Sequence, residues 1–134
     1  MKDRYQFPAI FHYAEDGISI SFPDIPGCLS CSETTEEAFK DAREALGLHL
    51  WGMEQDGDLI PETSAIENLV LEKNQIPAMI EVFMPPIRDR LSNRFVKKTL
   101  SIPYWLNAEA EEAKVNFSQL LQEALKEKLG ISQP

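Results

Sequence analysis

Two cysteines spaced Cys28-Leu29-Ser30-Cys31 are the first residues of this chain that look able to do chemistry. A C-x-x-C pair can be a redox dithiol, which normally opens a helix whose positive end lowers the thiol pKa, or half of a tetrahedral zinc site. Neither use fits the surroundings. The next helix signal begins at Thr34, several residues too late, and no second C-x-x-C follows. Only His12 and His49 could complete a zinc site; one lies in a strand pattern, the other well inside a helix pattern, with no ligand spacing between them. Residues three apart in a strand face opposite sides and cannot reach one ion. Cys28 and Cys31 therefore read as structural thiols of a strand, with no metal.

Carboxylates are the second set. Asp16, Asp24, Glu33, Glu36 and Glu37 crowd the early chain, and a β-β-β-α start invites comparison with nucleases of ribonuclease H type. Two-metal hydrolysis needs carboxylates on central strands, converging on ions ~4 Å apart. The first strand pattern, FPAIFHY, has none, and the acids fall in turns and at a helix cap. No phosphate-cradling G-x-x-x-x-G-K, dinucleotide G-x-G-x-x-G or hydrolase G-x-S-x-G occurs. The expectation is a protein that is not an enzyme and needs no cofactor.

Binding is then the question, and charge speaks to it. The 134 residues carry a net charge of −9, which argues against a general nucleic-acid coat. The charge is unevenly spread: residues 1–90 hold 7 basic and 17 acidic side chains, residues 91–134 hold 6 and 5. Within 86–103, Arg88, Arg90, Arg94, Lys97 and Lys98 face Asp89 alone. An acidic front and a locally basic hinge imply two kinds of partner. No apolar run approaches the ~18 residues of a membrane helix. The start, MKDRYQFPAIF, lacks a signal-peptide core, so the expected location is the cytoplasm, with reduced thiols and no membrane partner.

The elements that position these residues follow from periodicity. YQFPAIFHY (5–13) and ISISF (18–22) alternate as paired strands, with Asp16-Gly17 as the expected turn pair. PDIPG (23–27) forces a loop and LSCSE (29–33) gives a third strand. Thr34 and Glu37 form a capping box for a helix whose apolar face is Ala38, Phe39, Ala42, Ala45, Leu46, His49, Leu50 and Met53. AMIEVFM (78–84) reads as a fourth strand. Residues 1–84 thus form a β-β-β-α-β module of the α+β class, and 85–96 a linker or short helix.

Residues 97–131 change pattern. KKTLSI (97–102) alternates as a short strand, Pro103 opens a helix over 104–114, and SQLLQEALKEKLG (118–130) is a second helix with Ser118 as N-cap and Gly130 as stop. Such a unit is too small to bury a core alone. Two copies could pair their strands antiparallel, with Leu100 and Ile102 inward and Lys97, Thr99 and Ser101 outward. A two-stranded ribbon of that kind fits the DNA major groove, and the N-terminus of the second helix, at Asn116 and Ser118, offers N–H groups to a phosphate.

At this point KKTLSIPYWLNAEAEEAKVNFSQLLQEALKEKLGI resembles the ribbon-helix-helix repressors. That resemblance implies DNA binding by Lys97, Thr99, Ser101, Asn116 and Ser118 and dimerisation through the same domain. The preceding YQFPAIFHY, ISISFPDIPGCLSCSETTEEAFKDAREALGLHLWGM and GDLIPETS resemble the HicB antitoxins. The implied protein is a type II antitoxin: a partial ribonuclease H-like module without nuclease activity that occludes a HicA-type, mRNA-cleaving ribonuclease toxin, joined to a ribbon-helix-helix that binds operator DNA and represses its own operon. An acidic module suits a basic, RNA-binding toxin, and Glu15, Asp16, Asp24 and Glu33 are the expected contacts, Asp24 doubling as a holder of the proline-rich loop. The rival readings are a stand-alone ribbon-helix-helix regulator whose front module senses a ligand, and a divergent Mg²⁺-dependent nuclease using Asp16 or Asp24.

Overall fold

In a computed structural model, which describes residues 1–131, the chain divides into two units, Met1–Arg94 and Phe95–Pro134. The first is built on strand β1 (Arg4–Ala14), β2 (Gly17–Ser21), β3 (Leu29–Ser32) and β4 (Gln75–Phe83), all antiparallel in the order β3-β2-β1-β4. Side chains opposite each other in a ladder share a face. Register therefore places Phe7 with Ile80, Ala9 with Ala78 and Phe11 with both Ile20 and Ile76. This is the face the period-2 pattern of β1 predicts. Helix α1 (Thr35–Asp56) covers it with Ala38, Ala42, Leu46 and Leu50. Each large side chain so buried contributes about 1.5–3 kcal/mol.

Two strand prolines show how local rules are respected. Tyr13 donates its N–H to Asn74, so the odd residues of β1 bond towards β4 and Pro8 lacks its N–H on the other side, beyond the end of β2 pairing at Ile10. Pro77 sits on the edge strand β4. Neither proline removes a ladder bond. The hairpin differs by one residue from the expected turn. Glu15 and Asp16 form it, and Gly17 is already paired with Ala14. Glycine is needed at 17 because φ is +140° and a Cβ would lie 2.9 Å from the Ser32 carbonyl oxygen.

The ends of α1 are capped as the sequence predicts at one end and completed by backbone at the other. Thr34 accepts from the Glu37 N–H at 3.2 Å; left-handed Gly57 ends the helix and Asp58 N–H returns to Met53. Residues 85–92, read as linker or short helix, form α2 (Met84–Ser92) together with Met84, the expected end of the fourth strand; Met84 and Ile87 are buried. Its prolines, Pro85 and Pro86, sit in the first turn, where they cost no helix bond. A Cβ on Gly47 would meet Ile87 Cδ1 at 2.6 Å, so α1 and α2 pack closely at a glycine.

The second unit contains α3 (Tyr104–Glu112) and α4 (Phe117–Leu129). The expected strand at 97–102 is not formed: residues 94–103 belong to no helix or strand. A strand exists by virtue of a hydrogen-bonded neighbour, and among the described residues none lies beside this segment. No helix of the described residues is long and apolar enough to cross a membrane.

Candidate functional site

The acids singled out from the sequence do not converge. Glu15 and Asp16 are exposed at the hairpin tip and Glu33 is exposed just after β3. Asp24 is half-buried, and its two carboxylate oxygens accept from the Ser64 backbone N–H, at 2.7 Å, and from the Ser64 hydroxyl. That pair ties the 22–28 loop to the connection 57–74. Among the described residues, no three His, Cys, Asp or Glu side chains lie together as a metal site. Cys28 is buried and burial pushes its thiol up to about 11, whereas Cys31 is exposed on β3. Only Cys31 lies in a strand, contrary to the reading of both as strand thiols: Cys28 precedes β3 and its N–H turns back to the Ile25 carbonyl.

Arg88, counted in the basic hinge by sequence, is not available to a partner. Its Nε and one terminal nitrogen donate to both oxygens of Glu54 at 3.0 and 2.8 Å, while the other reaches Asp3 at 2.7 Å. The Lys2 carbonyl accepts from the same terminal nitrogen that serves Glu54. Hydrogen bonding to Glu54 holds the guanidinium pKa above its usual value, against the opposing effect of burial. Arg88 therefore joins the N-terminus, the end of α1 and α2. The i, i+4 patterns that reveal helices carry no trace of a partner 34 residues away.

The connection 57–74, whose GDLIPETS carries part of the resemblance, holds further acids that are not among the expected contacts. No Lys or Arg occurs from 44 to 72, while Asp56, Asp58, Glu62, Glu67 and Glu72 are all exposed. The signal was present as a charge run.

In the second unit Lys97, Thr99 and Ser101 are exposed on the extended segment. Asn116, rather than Ser118, caps α4: its Oδ1 accepts from the Gln119 N–H at 3.0 Å. Ser118 lies one residue into the helix and accepts from Gln122 Nε2 at 3.2 Å. Asparagine is at least as good an N-cap as serine, and the helix starts at the first acceptor that fits. None of the described residues of this unit is buried. Leu100, Ile102, Leu106, Leu120, Leu125 and Leu129 are all exposed, which leaves a 35-residue apolar pattern without a core.

Comparison with known proteins bears on both units. A family model described as HicB_like antitoxin of bacterial toxin-antitoxin system matches residues 7–125. A chain of a toxin–antitoxin complex from Streptococcus pneumoniae is 25% identical with a TM-score of 0.61, over 93% of this chain and 99% of that one. The antitoxin HicB of Burkholderia pseudomallei is likewise 25% identical, with a TM-score of 0.55, over 93% and 98%. A 14.9 kDa protein from the rep-hol intergenic region of Haemophilus phage HP1 is 36% identical over 64 residues, 48% of each chain. That match spans about half the length of the phage protein.

Proposed function

Because the chain belongs to the HicB_like antitoxin family of bacterial toxin–antitoxin systems, a family of antitoxins rather than enzymes, we propose that it neutralises a HicA-type ribonuclease toxin and represses its own operon from operator DNA. The work divides along the chain. Residues 1–84 cover the toxin, residues 85–96 lead out of that module, and residues 97–131 form a ribbon-helix-helix that pairs with a second copy. The β-β-β-α-β order of the first module supports reading it as a partial ribonuclease H-like fold without nuclease activity.

The observation that carries the DNA-binding half is the missing core of the second unit. A fold of about 40 residues needs a disulfide, a metal or a second copy to be stable. Both cysteines lie in the first unit and are free, and no metal-ligand cluster occurs among the described residues, which supports a second copy as the means. Antiparallel pairing of 97–102 with its counterpart supplies the absent strand neighbour. Leu100 and Ile102 then face the helices, and Lys97, Thr99 and Ser101 stand outward for base edges in the major groove. Asn116 and Ser118 place the start of α4 against phosphate. The inhibitory half rests on charge. Residues 1–94 hold 8 basic and 17 acidic side chains, and an RNA-cleaving toxin must attract a polyanion, so encounter is steered and the RNA path is occupied. The whole assembly works in the reducing cytoplasm and requires no cofactor.

The test separates the halves. Lys97→Ala should weaken operator binding by ~1–3 kcal/mol per half-site and leave inhibition of toxin cleavage unchanged. Loss of inhibition in that variant would refute the division of labour.

A further inference from the structure

We propose that the toxin docks on the 57–74 connection, and not on the β1–β2 hairpin; this rests on the reading that the N-terminal unit neutralises a basic, RNA-cleaving toxin. Connections longer than ~12–15 residues without extended secondary structure are uncommon and usually functional or disordered. This one has only the single turn Ile66–Asn68, yet it is fixed along its length. Asp58 N–H binds the end of α1, Ser64 is held by Asp24, and Asn74 accepts from Tyr13. Ile60 packs on the core. A segment so anchored binds without a large ordering cost.

What it presents outward is of two kinds. Leu59 and Val70 are 91% and 92% exposed, the apolar content that an interface centre needs. Around them in sequence lie exposed Asp58, Glu62, Glu67 and Glu72, with no cation before Lys73. Acid side chains on one fixed segment fit a partner with a basic face, which an RNA-binding toxin must have, and the two exposed apolar side chains give that contact something to bury. The hairpin has Glu15 and Asp16 but no exposed large apolar residue beside them. It can steer a cation without holding it.

The experiment measures association and dissociation rates of the full chain with a HicA-type toxin made inactive by substitution, at low and high salt. Asp58→Lys/Glu62→Lys/Glu67→Lys should weaken binding by ~100-fold or more and flatten its salt dependence. Leu59→Ser/Val70→Ser should raise the dissociation rate by ~10-fold with the salt dependence unchanged. Glu15→Lys/Asp16→Lys should slow association at low salt and leave dissociation as in the wild type. Wild-type dissociation in both connection variants, or a faster dissociation confined to the hairpin variant, overturns the assignment. A wild-type chain that does not hold the toxin overturns the antitoxin reading itself, and the docking surface with it.

Discussion

Replacing Arg88 with methionine should be among the most damaging single changes in the N-terminal unit. The side chain of Glu54 is only 6% exposed and that of Arg88 18%, so the pair is largely removed from water. Both carboxylate oxygens are satisfied by the guanidinium. Arg88→Met keeps the packing volume of the stem but leaves a buried carboxylate without its cation, a loss of about 3–5 kcal/mol in comparable pairs. Asp3, 65% exposed, adds little, because surface pairs are worth about 0–1 kcal/mol. Glu54 is near the end of α1 and can swing partly into solvent, so the lower figure, about 3 kcal/mol, is the expected loss. For a unit of this size that lowers Tm by about 12–24 °C. Urea unfolding followed by Trp51 fluorescence in a Trp105→Phe background reports this unit alone. The double variant Glu54→Leu/Arg88→Met should recover most of the loss, since no charge is left buried. A single variant within ~1 kcal/mol of wild type, or a double no more stable than the single, would refute the reasoning.

On the proposed pairing of 97–102, Ile102→Asp should give a monomer in light scattering where the wild type is a dimer and abolish operator binding, since it would place a carboxylate in the shared core twice; a variant still dimeric at micromolar concentration removes the paired ribbon. Two glycines of α1 should behave oppositely. Gly52, with nothing within 4 Å of a built Cβ, should gain ~0.5–1 kcal/mol on change to alanine, whereas Gly47→Ala should lose stability against Ile87; thermal melts of the pair check the sign. At neutral to mildly alkaline pH, Cys31 should react with a disulfide reagent and Cys28 should not until the protein unfolds. With the folded Cys28 thiol at about 11 and an unfolded thiol ionising near 9, the unfolded state holds fewer protons in that window. Stability should therefore fall as pH rises from 9 to 11 and be unaffected by this group below 9; chemical denaturation across that range measures it.

Much of the fold is legible in the chain because it is local. The alternation of Tyr5, Phe7, Ala9 and Phe11, the Thr34 cap and the Gly57 and Gly130 stops are short-range patterns set by backbone geometry, and β1, α1 and α4 appear within a few residues of their sequence-based limits. The shift of the α4 cap from Ser118 to Asn116 marks the limit of such reading, since two adequate caps two residues apart differ by little. The resemblance to HicB antitoxins is also carried by sequence, in the FPDIPGC loop and the helix it precedes.

Tertiary structure decided what depends on distant partners. Only folding brings Arg88 to Glu54 and Asp3, which turns a residue counted as a free cation into a buried clamp. Only folding commits Asp24 to Ser64, forty residues on, and so shifts attention from a lone loop acid to the connection it holds. The same reason explains the absent strand at 97–102. Its side-chain alternation is written in the sequence, but a strand also needs a hydrogen-bonded neighbour, and among the described residues none pairs with it.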